Sequence, residues 1–334
     1  MSPSIKDCER DSRAGSENRS MSYSIGGPGQ KRPRDFLKAL RNDGFKDSLL
    51  NYLVESWQDD SNAQIIGEKQ IYVTCKDKCY LFQVINGSVS RTEDETLRSN
   101  HEEADSRMFF HLAKISLLGE QETAKNIVLR LSDTDVAIVG LGNLHLLPEN
   151  VTVWLEVGVF SKNTLRYINL TDLHNKLGTR LCRALLFLHA LTGCDYTASF
   201  YRRGKVKPLK LLEKNPDLQE TFASFGDEES PNEKQIEACE EFVCKLYGRQ
   251  KMKDVNAARL DIFLKKFKPK DTEYPLSKIK TADSVSLPPC AKVLLEKVKR
   301  SNYVCSVWKS ATNADPPSYN PENFFSSKFF RAGL

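Results

Sequence analysis

Residues 126–140 read N-I-V-L-R-L-S-D-T-D-V-A-I-V-G, and this stretch constrains the fold more than any other. The run 127–131 is short, aliphatic and rich in β-branched or leucine side chains, which is how a parallel strand covered on both faces is written. It ends on a pair of acids. An open α/β sheet gathers its ligands and catalytic groups at the carboxyl ends of its strands, so Asp133 and Asp135 stand where such a fold keeps its chemistry. Side chains two apart on extended backbone point the same way, which lets both carboxylates face one point. Aspartate is also a common turn former after a strand, so the pair gains meaning only from what converges on it.

The rest of the chain supplies the surrounding layers. Phe36, Leu37, Leu40, Leu49, Leu50, Leu53 and Trp57 recur at helical spacing, broken at Asn42-Asp43-Gly44, and predict two short helices. Residues 69–74 and 80–85 predict a strand pair at the sheet's edge, with Asn86-Gly87 as a hairpin-type turn. A helix is expected over 100–118, with Asn100 as its N-cap. Further strands follow at 151–157 and 166–170, then an amphipathic helix at 180–191 that Gly193 stops. Pro208 opens a short helix. The pattern stays helical through 236–247, 255–267 and 290–308, with Leu260, Phe263, Leu264 and Phe267 inward. The fold class is therefore α/β, a central and mostly parallel sheet flanked by helices and followed by an α-helical C-terminal region. The domain limits that follow are a mostly disordered basic segment at 1–34, the α/β domain at 35–200, a helical region at 201–310 and a loose tail at 311–334.

Composition narrows the setting. A chain of 334 residues, 40% hydrophobic and 28% charged, can bury a sizeable core. Its net charge of +5 permits nucleic-acid contact without demanding it. The first residues hold no apolar segment of the secretory kind, and no apolar run is long enough to span a bilayer, so the expected location is intracellular, the nucleus before the cytoplasm. The run Q-K-R-P-R at 30–34 is either a nuclear address or a solvated basic tail. Nine cysteines then read as reduced thiols, since neither Cys75 with Cys79 nor Cys239 with Cys244 has the spacing of a zinc knuckle.

Three acidic clusters stand in order along the chain. Glu103 and Asp105 lie in H-E-E-A-D-S-R at a helix start, Asp133 and Asp135 at a strand end, and Asp195 in G-C-D-Y just past a helix stop. Acids at a helix start also complement its dipole, which is the plainer reading of the first cluster. Drawn into one cleft, five carboxylates repel by roughly 4 kcal/mol per close pair at an effective dielectric near 20. A whole domain is stable by only about 5 to 15 kcal/mol, so a counter-cation is needed. Magnesium or manganese is the hard cation that suits all-carboxylate ligation. Two such ions about 4 Å apart stabilise the attacking and leaving oxygens of phosphodiester hydrolysis.

The order E-A-D, S-D-T-D, G-C-D-Y, followed by a turn with Gly204 and a lysine-bearing helix, resembles the flap-endonuclease branch of the PIN-fold nucleases. It is more closely similar to a group of animal proteins sharing H-E-E-A-D-[ST]-R, S-D-T-D-V and A-L-T-G-C-D-Y, with L-P-P-C and R-S-N-Y-V near the C-terminus. The acidic motifs cover 103–196, and a weaker likeness runs from about residue 4 to 309. The resemblance implies Glu103, Asp105, Asp133, Asp135 and Asp195 as catalytic ligands of a magnesium or manganese pair. It also implies Gly204, Lys205, Lys207 and Lys210 as a turn gripping the backbone of branched or single-stranded DNA. Glu102 stays an alternative to Glu103, because residues three apart share a helix face with Asp105 and residues two apart do not. The chain also departs from the family. Its turn R-R-G-K-V-K lacks the family's second glycine, and residues 4–13 look like the K-x-x-E-x-x-R helix that two acidic positions should precede. The implied protein is an amino-truncated nuclease with weak or no catalysis. A noncatalytic nucleic-acid or protein-binding module, and a structural domain whose acids are only caps and turns, are the alternatives.

Overall fold

The computed structural model describes residues 24–118, 123–131, 133–266 and 284–317. The proposed helix at 4–13, most of the basic N-terminal segment, Phe267 and most of the tail lie outside the described residues. The chain divides into two compact units, one running up to Arg107 and including Asn313–Pro316, the other built on Met108–Thr312.

In the first unit, helices α1 (Phe36–Ala39), α2 (Asp43–Ser56) and α3 (Ala63–Ile66) precede strands β1 (Ile71–Cys75), β2 (Lys78–Ile85) and β3 (Ser88–Glu93). The strands form an antiparallel meander in the order β1-β2-β3. Asn86 and Gly87 both take positive φ, 53° and 86°, as a two-residue turn matched to strand twist requires. The predicted strand pair is thus a three-stranded sheet of its own rather than the edge of a larger one. Its small core comprises Val54, Ile66, Cys75, Phe82 and Val89.

Helix α4 (Ala104–Ser116) begins four residues after the expected cap Asn100, whose amide instead donates to the Ala314 carbonyl. The second unit then carries β4 (Lys125–Arg130), α5 (Thr134–Asn143), β5 (Val151–Val157) and β6 (Arg166–Asn169). Its sheet runs β4-β5-β6, with β4 parallel to β5 and β6 antiparallel to it. The mostly parallel central sheet of the sequence reading is therefore, among the described residues, one parallel and one antiparallel pair. Strand β4 is not buried on both faces either. Leu129 points into the core while Val128 is half exposed, because among the described residues only one face of this sheet is packed.

Helices α6 (Leu170–Leu177), α7 (Thr179–Thr192), α8 (Val206–Glu213), α9 (Pro216–Ala223), α10 (Glu233–Leu246), α11 (Val255–Lys266) and α12 (Ala291–Lys309) complete the unit. Helix α7 is buried almost all round from Leu181 to Thr192, which makes it the axis of the core. Helix α5 approaches it closely because Gly142 has no side chain; a Cβ there would collide with Leu186. Residues on both sides of position 200 share this core, including Phe187, Phe222, Phe242 and Trp308. Leu260 and Leu264, expected inward, are 57% and 53% exposed on α11. No helix of the described residues is long and apolar enough to cross a membrane.

Candidate functional site

The site is built where α5 begins. Strand β4 ends at Arg130, and the backbone turns at Asp133, whose carboxylate accepts the Asp135 amide at 3.1 Å as the N-cap of α5. Asp135 is therefore helical, not extended, and the two carboxylates do not share the direction that strand geometry would give them. Asp133 stays exposed while Asp135 is only 8% exposed.

A buried carboxylate requires compensation, since leaving water costs several kcal/mol for an unpaired ion, on the order of the whole stability. The compensation comes from α7. His189, itself buried, places Nε2 2.8 Å from Asp135 Oδ1. Its other ring nitrogen, Nδ1, lies 3.1 Å from the Lys205 ammonium. An ammonium only donates, so Nδ1 accepts and the ring proton sits on Nε2, from which it is donated to Asp135. The result is a continuous chain, Lys205 to His189 to Asp135, with a cation at one end and an anion at the other. Lys205 also donates to the carbonyls of His189 at 3.2 Å and Gly193 at 2.5 Å. Burial lowers its pKa from the ordinary lysine value.

The same lysine ties the start of α5 to the loop after α7. That loop folds back on itself through mutual Cys194 and Thr197 backbone bonds of 3.1 and 3.3 Å, and Gly193, at φ 119°, packs against Ser199 with no room for a Cβ. Asp135 lies near enough to Cys194 to raise its thiol pKa, though burial is the larger cause of its rise to about 11. The S-D-T-D and G-C-D motifs are thus brought together, with a histidine and a lysine between them. Asp195 is exposed on this loop.

Helix α12 closes the loop from another direction. Lys297 donates to the Ala198 carbonyl, and its ammonium sits 4.9 Å from the centroid of the Phe200 ring. Burial pulls its pKa down to about 8. Arg300, one turn further along α12, is also desolvated and its pKa is lowered for that reason.

Glu103 and Asp105 belong to the first compact unit, just before and within the first turn of α4, and Asp133, Asp135 and Asp195 to the second. In the expected DNA-gripping turn Gly204, Lys205, Lys207 and Lys210 are all exposed, but the Lys205 ammonium is turned to His189 and Gly193 and Lys207 donates to the Leu246 carbonyl at 2.6 Å. The left-handed residue of this turn is Arg202, at φ 52°, so Gly204 is not there for its backbone freedom. Sequence reasoning missed His189, Lys297 and Arg300. The signal for His189 was present: a titratable ring inside the apolar run A-L-L-F-L-H-A-L must find a buried partner.

Magnesium or manganese needs several hard oxygen donors aimed at one point. Among the described residues no three His, Cys, Asp or Glu side chains are gathered closely enough to hold a metal ion. The Asp133 carboxylate is occupied in capping α5 and that of Asp135 in the bond to His189. Among the described residues of the second unit, Asp133, Asp135 and Asp195 as they stand do not fit a two-ion centre. No family model matches the chain, and no curated protein or solved structure matches it either.

Proposed function

We propose that this chain is a noncatalytic nucleic-acid-binding module, a PIN-like domain that keeps the acidic order of a flap-type nuclease and balances its central acid with its own lysine. The observation that carries the reading is the Lys205–His189–Asp135 chain, which supplies a protein cation where the resemblance implies a divalent one. A basic surface is the second support. Arg202 stands exposed over Tyr201, which is 39% exposed and lies under the Arg202 guanidinium at 5.1 Å, and Lys210 is exposed on the helix that follows. Cations interleaved with an accessible ring suit a phosphate backbone and its bases.

Phosphodiester hydrolysis assisted by magnesium or manganese is the second reading, favoured by one observation: the S-D-T-D and G-C-D motifs do meet, across His189. Fluorescence anisotropy and gel analysis of labelled single-stranded and branched DNA separate the two. The binding module holds DNA in chelator and leaves it intact with either metal. Metal-dependent cutting that disappears in Asp133→Ala and Asp135→Asn, with both variants still folded by circular dichroism, establishes the nuclease instead.

A further inference from the structure

The β4-β5-β6 sheet packs Val151, Val153 and Leu155 against the core, so its other face is what remains to be explained. Register fixes which residues share that face. Val128 pairs with Trp154, Arg130 with Glu156, and Glu156 with Tyr167. Val128 is 50% and Tyr167 55% exposed. No helix is needed to hold these groups in place. The Trp154 indole donates to Asn126 at 3.2 Å, and the Tyr167 hydroxyl donates to Glu156 at 2.9 Å.

The loop joining β5 to β6 lies at the end of these two strands and is rigidly made. Gly158 takes φ 92° and passes so close to the Thr164 carbonyl that no Cβ fits. The Val159 amide donates to Thr164 Oγ1 at 3.0 Å, and the Val159 carbonyl accepts from the amides of Lys162 and Thr164. Asn163 closes the turn in the left-handed region, φ 52°. At the tip of this fixed loop stands Phe160, 84% exposed. A large apolar ring held out in water by a preorganised loop has no folding role and carries the mark of a contact residue.

Charge identifies the contact. Across 125–130 and 151–169 the sole acid is Glu156, against Lys125, Arg130, Lys162 and Arg166. Glu156 is already engaged by Arg130 at 3.1 Å and by Tyr167. Lys125 is turned aside to the carbonyls of Ser116 and Leu118. Arg130, Lys162 and Arg166 are left exposed around the rings. An aliphatic protein partner does not call for this mixture, whereas unpaired bases and their phosphates do: rings stack on the flat faces of bases and cations follow the backbone.

We infer that the uncovered face of this sheet, with Phe160 at the hairpin tip and Tyr167 and Trp154 behind it, is a stacking platform for single-stranded nucleic acid. This rests on the nucleic-acid reading above and specifies the strand form and the surface that receives it.

The test uses the full chain and a fluorescein-labelled single-stranded deoxyoligonucleotide in chelator at low salt. Phe160→Ala is expected to weaken binding about tenfold, the usual scale for losing one base–ring stack, and Phe160→Trp to restore it. Tyr167→Ala, which removes a second ring of the platform, is expected to weaken binding as well, and Tyr167→Phe, which keeps the ring, to bind more tightly than Tyr167→Ala. Phe160 is exposed, so its substitutions leave the core intact. Wild-type binding that Phe160→Ala does not weaken overturns the platform alone and leaves the nucleic-acid reading standing. No wild-type binding overturns both. A sedimentation shift from dimer to monomer in Phe160→Ala, with oligonucleotide affinity unchanged, makes this face a contact between copies and overturns the platform.

Discussion

The start of α5 and the loop after α7 each present an aspartate beside the same buried helix, and the fold treats the two oppositely. At α5 the carboxylate of Asp135 is drawn inside and held by His189, with Lys205 behind it. In the loop, Asp195 is left in water while the backbone around it is pinned by Lys205 and Lys297. The contrast shows what burial of an acid depends on here. It requires a donor already fixed in the core, and α7 supplies one donor at one position. The cations near the loop are spent on carbonyls, so Asp195 has no inward partner to follow.

Removing Asp135 tests the contrast hardest. Asp135→Ala strands a buried histidine and cuts off the lysine behind it, and is expected to lower stability by about 3–5 kcal/mol in urea unfolding. A loss no larger than that of a surface acid breaks the comparison at its buried end. A double-mutant cycle sharpens it: Asp135→Asn combined with Lys205→Met should show a coupling energy of roughly 1–3 kcal/mol, since the two act through one ring. Additive losses mean that Lys205 serves the loop only.

Lys297 offers a pH test on the loop side. Its pKa falls from 10.5 to about 8 in the folded chain, where Cys194, Lys205 and Arg300 are the charged or titratable neighbours. Between those values the unfolded state binds more protons, so this lysine's contribution makes stability rise with pH across that window. Thermal unfolding of Lys297→Met should show a shallower rise than the wild type; parallel curves contradict the burial of this ammonium. Smaller effects follow. Asp133→Ala loses a helix cap, about 1 kcal/mol, and Asp133→Ser keeps most of it. Asp195→Ala is expected to stay within about 0.5 kcal/mol, as exposed positions do.

How much of this was legible in the letters depends on the range of the interaction. Strand β5 lies where alternation and branching put it, at Val151–Val157, and Asn86-Gly87 forms the turn between β2 and β3, because both follow from local stereochemistry. The helical stripe of α7 was readable for the same reason. Local pattern misled where a neighbour decides the outcome. The run at β4 looks buried on both faces, yet it is an edge strand with one packed side. Leu260 and Leu264 repeat at helical spacing and still face outward.

The site divides along the same line. That the S-D-T-D and G-C-D stretches lie near one another was expected from the resemblance their order carries. Which groups lie between them was not, because His189 and Lys205 are 54 and 70 positions away from Asp135 in sequence, and only packing of α7 against α5 aligns them. An acid-rich motif counts charges without saying what neutralises them.

The central claim is that a protein cation, and not a divalent ion, balances Asp135. Calorimetric unfolding of the wild type and of Asp135→Asn, each with and without magnesium or manganese, tests it most directly, because an ion that prefers the folded state must raise its stability. The account predicts no metal-dependent rise in Tm that requires Asp135. A rise in the wild type that vanishes in Asp135→Asn contradicts it.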